Sequence, residues 1–81
     1  MTKITLDKYE LYLYNDSINS FEYVVETLIK ELDMGLSAAI TLTMKVHHIG
    51  YAVVNACHKE LADTYKKKLN DCGLKVSIKQ I

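Results

Sequence analysis

The chain has 81 residues, ten basic and ten acidic, and 49% of it is hydrophobic. That length makes one domain, near the lower limit at which a core stabilises a fold unaided, and the absence of Pro speaks for a compact globule. Balanced charge excludes the broad basic field that nucleic-acid binding draws on.

The first ten residues, MTKITLDKYE, hold no apolar stretch long enough for a signal peptide. No apolar run approaches the ~18–20 residues of a membrane span, so a cytoplasmic chain with neither membrane nor nucleic-acid partners is expected. Residues 1–8 read as a short N-terminal tail and 9–81 as the folded domain. From Lys8 to Tyr14 the sequence alternates. Tyr9, Leu11 and Leu13 fall on one side, Lys8, Glu10, Tyr12 and Tyr14 on the other, which is the pattern of a half-buried strand.

From Phe21 the period changes to that of a helix. Phe21, Val24, Val25, Leu28, Ile29 and Leu32 form a stripe facing a core. Asn19 is placed to cap this helix, with Glu22 reaching back to the cap. Asp33 then reads as the cap of a second helix whose apolar set is Leu36, Ile40, Leu42, Met44 and Val46, stopped by Gly50. Residues 51–56, YAVVNA, suit a short inner strand. A third helix is predicted from about His58 to Cys72, burying Leu61, Ala62, Tyr65 and Leu69, with Gly73 as its stop. Its Lys66-Lys67-Lys68 run fits a solvated face near a negative helix terminus. Leu74, Val76 and Ile78 alternate with Lys75, Ser77 and Lys79 in a last strand.

The order is β-α-α-β-α-β, an α+β domain. Three short strands cannot bury both faces, so a three-stranded antiparallel sheet packed on one side by three helices is expected.

Candidate chemistry is sparse. Cys57 and Cys72 lack a CxxC partner and read as half-buried or buried reduced thiols. His47, His48, Cys57 and His58 lack the paired short spacing of structural zinc sites, and adjacent helical histidines diverge by about 100°. No strained nucleophile turn, Gly-rich phosphate loop or cofactor motif is present, so neither a cofactor nor catalysis is expected. The remaining constellation is Asn15, Asp16 and His47. An amide carbonyl, a carboxylate and a neutral imidazole nitrogen are all acceptors suited to an amine. The same residues also fit an Asx-type turn and a partly exposed helix histidine.

Taken in order, "YELYLYND", "SFEYVVETLIKEL", "MKVHHIGYAVV", "HKELADTYKKKL" and "GLKVSIKQI" resemble the ClpS adaptor family across positions 9–80. Asn15-Asp16, Glu22, Val24, Val46-His47, Gly50, Glu60, Ala62 and Thr64 match its pattern in order and spacing. The resemblance implies a ClpS-like fold and a non-catalytic adaptor of the N-degron pathway. Such adaptors bind proteins beginning with Leu, Phe, Tyr or Trp and hand them to a ClpA- or ClpC-type AAA+ unfoldase through its N-domain. By position, Asn15, Asp16 and His47 would hold the free α-amino group. Leu13, Phe21, Val24, Thr43, Val46 and Leu74 would line the hydrophobic pocket, and Glu60 and Tyr65 would lie on the unfoldase-docking helix. Four departures stand out. Ser17 replaces a second Asp, Phe21 a gatekeeping Met and Thr43 a pocket-wall Met, and the N-terminal extension that usually engages the unfoldase is short. A structural domain that docks on an unfoldase without binding N-degrons is the alternative.

Overall fold

The computed structural model describes residues 8–81, so most of the short tail placed at 1–8 lies outside the described residues. The elements are β1 (Lys8–Tyr14), α1 (Phe21–Leu32), α2 (Leu36–Ile49), β2 (Tyr51–His58), α3 (Lys59–Asp71) and β3 (Val76–Gln80). The strands form one antiparallel sheet in the order β2-β1-β3. The predicted α+β order and sheet are therefore the observed ones.

β1 is the central strand, and its alternation is carried into its burial. Leu11 and Leu13 are fully buried, at 0% and 1% exposure, while Tyr12 and Tyr14 stand on the opposite face. β2 is two residues longer than predicted, and its register against β1 shifts between Leu11 and Tyr12. A bulge of this kind accommodates an extra residue and adds local twist. The core joins Leu11 and Leu13 to Val25 and Leu28 of α1, Ala39 and Val46 of α2, Ala52 of β2, Leu69 of α3, and Leu74 and Val76.

Three local readings need correction. Ser20, not Asn19, caps α1: its Oγ accepts the Tyr23 N–H at 3.1 Å. The Asn19 backbone N–H donates to Asp16 Oδ1 instead, so no capping box with Glu22 forms. Asp33 does not open α2. It ends α1 in the left-handed conformation (φ 54°), donating its N–H to the Leu28 carbonyl, and Gly35 precedes α2. Finally, α2 turns a different face inward. Leu36, Ile40 and Met44 are 63%, 36% and 46% exposed, whereas Ala39, Thr43 and Val46 are buried. Small side chains let α2 approach its neighbours closely, and the larger apolar stripe is left on its shoulder. Leu61, expected inside, is likewise exposed on α3. Gly50 does stop α2 as predicted, at φ 105°, a conformation that costs a residue with Cβ about 1–2 kcal/mol.

Candidate functional site

Three chain ends converge at one corner of the molecule. β1 runs out at Tyr14, α1 begins at Phe21, and α2 ends at Ile49. The Asn15 N–H donates to the Gly50 carbonyl at 2.9 Å, and the Tyr14 N–H to the Lys75 carbonyl at 2.9 Å. These two bonds tie the end of β1 to the C-terminus of α2 on one side and to the start of the last strand on the other. Between them opens a small cavity of about 30 Å³.

Its walls are Leu13 from β1, Phe21 and Val24 from α1, Thr43 and Val46 from α2, and Leu74 from the turn before β3. Its rim carries Asn15, Asp16 and His47, together with Tyr14 and Asn19. All nine residues singled out for amine and side-chain binding thus lie around one cavity, although they come from positions 13 to 74. Thr43, in place of the pocket-wall Met, brings a hydroxyl to the wall, but that hydroxyl does not point to the cavity as a donor. Its Oγ1 donates to the Ala39 carbonyl at 2.7 Å, one helical turn back. The hydroxyl is satisfied within α2.

The loop from Asn15 to Ser20 is held by its own side chains. Asp16 Oδ1 accepts the N–H groups of Ile18 and Asn19, at 2.8 and 2.9 Å. Asp16 Oδ2 accepts Asn19 Nδ2 at 2.9 Å, and the same nitrogen donates to the Gly73 carbonyl at 2.9 Å. Asn19 therefore fastens the loop to the turn after α3. The hydrogen bond from the Asn19 backbone N–H is the main reason the Asp16 carboxyl is held below its ordinary value, with the Asn19 side chain, the Ile18 N–H and nearby Lys75 adding to it. Asp16 is accordingly ionised at neutral pH.

A second source of negative potential is α2 itself. His47 lies in its last turn, where unpaired carbonyls give the helix end a partial negative charge. His47 is exposed, and its ring meets that of His48 edge-on at 5.6 Å. Carboxylate, amide, imidazole and helix end make an acceptor-rich rim above an apolar well. Such a rim favours a cationic donor and such a well favours hydrocarbon.

Tyr14 and Asn19 are the rim residues that sequence reasoning missed. The Asp16-to-Asn19 spacing of an Asx turn, with Ser20 directly before the helix, was the available signal. Glu60 and Tyr65 both lie on α3. Glu60 is exposed in the first turn, whereas Tyr65 is half-buried against the core. Cys57 and Cys72 are free and half-buried, and burial pushes the Cys57 thiol up. Among the described residues no three His, Cys, Asp or Glu side chains gather as a metal site would require, and no helix is long and apolar enough to cross a membrane.

Fold and cleft together define a small α+β domain with a cavity at its corner, polar at the rim and apolar within. Residues 5–77 match the family described as ATP-dependent Clp protease adaptor protein ClpS, and the chain belongs to that family. It is 35% identical over 75 residues to the ClpS adapter of Prochlorococcus marinus, covering 90% of this chain and 70% of that protein. To the chloroplastic adapter CLPS1 of Chlamydomonas reinhardtii it is 35% identical over 71 residues, covering 86% of this chain but only 44% of the relative. The structure of Agrobacterium tumefaciens ClpS2 bound to L-phenylalaninamide has the same fold, with a TM-score of 0.86, 24% identity, and coverage of 95% of this chain and 100% of that one.

Proposed function

We propose that the chain binds the N-terminal residue of proteins marked for degradation, gripping the free α-amino group at Asn15, Asp16 and His47. A bulky side chain (Leu, Phe, Tyr or Trp) then enters the well between Leu13, Phe21, Val24, Thr43, Val46 and Leu74. The carrying observation is that one cavity gathers these acceptors and these apolar walls from four separate parts of the chain. Support comes also from the Agrobacterium neighbour, whose bound L-phenylalaninamide combines an aromatic side chain with a free amine. The protein acts by binding and catalyses nothing.

An α-amine with a pKa of about 7.7–8.0 is mostly cationic at neutral pH, so an acceptor rim selects it over an acetylated terminus. Burying an aromatic side chain of ~150 Å² at ~25 cal/mol per Å² gives roughly 4 kcal/mol before ordering costs. With a few charge-assisted hydrogen bonds this suits micromolar capture and release. At about 30 Å³ the cavity is too small for such a side chain, so Phe21 must turn aside. It is the first residue of α1 and 36% exposed, with no preceding helical turn to confine its ring. Thr43 has its one hydroxyl proton committed to the Ala39 carbonyl, so it offers a ligand at most an acceptor.

Captured substrates pass to a ClpA- or ClpC-type unfoldase in the cytoplasm. Glu60 is the outward candidate for that contact. Tyr65, five residues on and packed inward, supports the helix rather than touching the partner.

Fluorescence anisotropy with peptides differing only at residue one tests the reading. Phe-starting peptides should bind, while Ser- and acetyl-Phe-starting peptides should not, and equal binding of all three would sink it. His47→Ala should weaken binding by ~1–3 kcal/mol, the worth of a hydrogen bond to a charged group. The smallness of the cavity favours a second reading, a regulatory domain that docks on an unfoldase without taking N-degrons. Capture of an unfoldase N-domain without any peptide affinity would select it.

A further inference from the structure

All three helices lie on one side of the sheet, and its other side is paved with tyrosine. Tyr12 and Tyr14 of β1 lie nearly parallel, with ring centroids 6.3 Å apart, and Tyr51 of β2 sits 6.0 Å from Tyr12. Two of the hydroxyls are already engaged: Tyr14 with Ser77 Oγ at 2.7 Å, and Tyr12 donating to Glu10 at 3.0 Å. These bonds restrain two of the three rings and occupy their polar tips. Ser77, Ile78 and Lys79 of β3 complete a hollow of about 480 Å³ over them. An uncovered aromatic patch of this kind marks an interaction surface more often than an accident of composition.

Tyr14 also lines the amine cleft, so the floor begins where the cleft ends. We infer that this tyrosine floor carries the second and third residues of a bound chain and favours apolar or aromatic side chains there. The inference rests on the N-terminal-residue reading of the cleft. The lengths agree: from Tyr14 back to Tyr12 is two strand residues, about 6–7 Å, and residues two and three of an extended peptide each advance about 3.3–3.6 Å. Because side chains of an extended peptide alternate, one of the two faces the floor. Rigid tyrosines supply contact area with little loss of side-chain entropy. Aromatic rings on a sheet can also stack nucleic-acid bases, but such sites are bordered by a basic groove. Among the described residues Lys79 is the one cation lining the hollow, and the whole chain is neutral.

The test uses the full chain and C-terminally labelled peptides that begin with Phe and carry Gly-Gly, Leu-Gly, Gly-Leu or Gly-Phe at positions two and three. An apolar residue at one of those positions should tighten binding about three- to tenfold over Gly-Gly, the size of one aromatic contact. A Tyr12→Thr/Tyr51→Thr double variant, which keeps β-forming residues, should bring all four peptides to the Gly-Gly value. Equal affinities across the wild-type panel, with Phe still preferred over Ser at residue one, would overturn the inference and leave the cleft reading standing. Loss of discrimination at residue one would remove both. A downstream preference that survives in the folded double variant, or binding of an oligouridine probe to this face without peptide preference, would also overturn it.

Discussion

Asn19→Ala isolates the device that shapes the cleft. The substitution deletes two hydrogen bonds from one nitrogen, one to the Asp16 carboxylate and one to the Gly73 carbonyl, both 2.9 Å. The backbone bond from Asn19 to Asp16 Oδ1 survives, so the turn itself can still form. A neutral hydrogen bond is worth about 0.5–1.5 kcal/mol net and one to a charged group about 1.5–3. Both bonds are partly or wholly exposed to water, which places each at or below the bottom of its range and the sum at about 1–2 kcal/mol. For a domain of this size that lowers Tm by roughly 5–15 °C. Urea unfolding at pH 7 with an unchanged m-value gives the stability directly. In parallel, the affinity for a Phe-starting peptide should fall about three- to tenfold, because a freed rim must be ordered on binding. A variant within 0.3 kcal/mol of wild type, with unaltered peptide affinity, would show that Asn19 holds nothing that matters.

Other expectations follow from the same contacts. Asp33→Gly removes a side chain from a left-handed helix end (φ 54°) and should stabilise the fold by about 0.5–1 kcal/mol, read as a higher urea midpoint. Thr43→Val should leave affinity for Phe-starting peptides within twofold, since the hydroxyl is turned to the Ala39 carbonyl, and a tenfold loss by anisotropy would mean it serves the ligand. Asp16 is held below its ordinary pKa, so its contribution to stability is complete above about pH 4, the unfolded value, and is lost as pH falls through the lower native value. Urea midpoints at pH 7, 4 and 3 should therefore fall less steeply in Asp16→Asn than in wild type, and parallel curves would contradict the role given to its hydrogen bonds.

Much of the fold was legible because its signals are local and strong. The alternation of β1, the stripe of α1 and the stop at Gly50 each depend on neighbours a few positions apart. α2 was read wrongly for a physical reason. Leu36, Ile40 and Met44 recur every four residues and look like a core stripe, yet the adjacent small residues Ala39 and Thr43 are the buried ones. Hydrophobicity ranks side chains by transfer energy, but close packing between a helix and its neighbours rewards small volume. The cap of α1 was ambiguous for another reason. Asn19 and Ser20 are both good caps, and what decides between them is Gly73, 54 positions away, which draws the Asn19 side chain outward. The apolar walls of the cleft could be gathered only through the family resemblance, because no spacing rule links Leu13, Thr43 and Leu74.

Under the proposed function, a turn and a binding rim need not be rival explanations of the polar loop. An ionised carboxylate offers about four lone-pair sites. In Asp16 three are taken, two on Oδ1 and one on Oδ2, which leaves one on Oδ2 for a ligand. The occupied sites fix the carboxylate in place and lower its pKa, so the free one is charged and oriented before anything binds. A freely rotating Asp would have to be ordered by each ligand at a cost of about 0.5–1.5 kcal/mol. The exposed Ser17 at the next position takes no part in this bracing. Losing the second Asp of the family pattern therefore removes some long-range attraction for an amine while leaving the positioned acceptor intact. On that argument Ser17→Asp should raise the association rate more than it slows dissociation, and should do so less at high salt, where the screening length is about 3 Å at 1 M. Stopped-flow traces at two salt concentrations would separate the two effects, and a change confined to the dissociation rate would refute it.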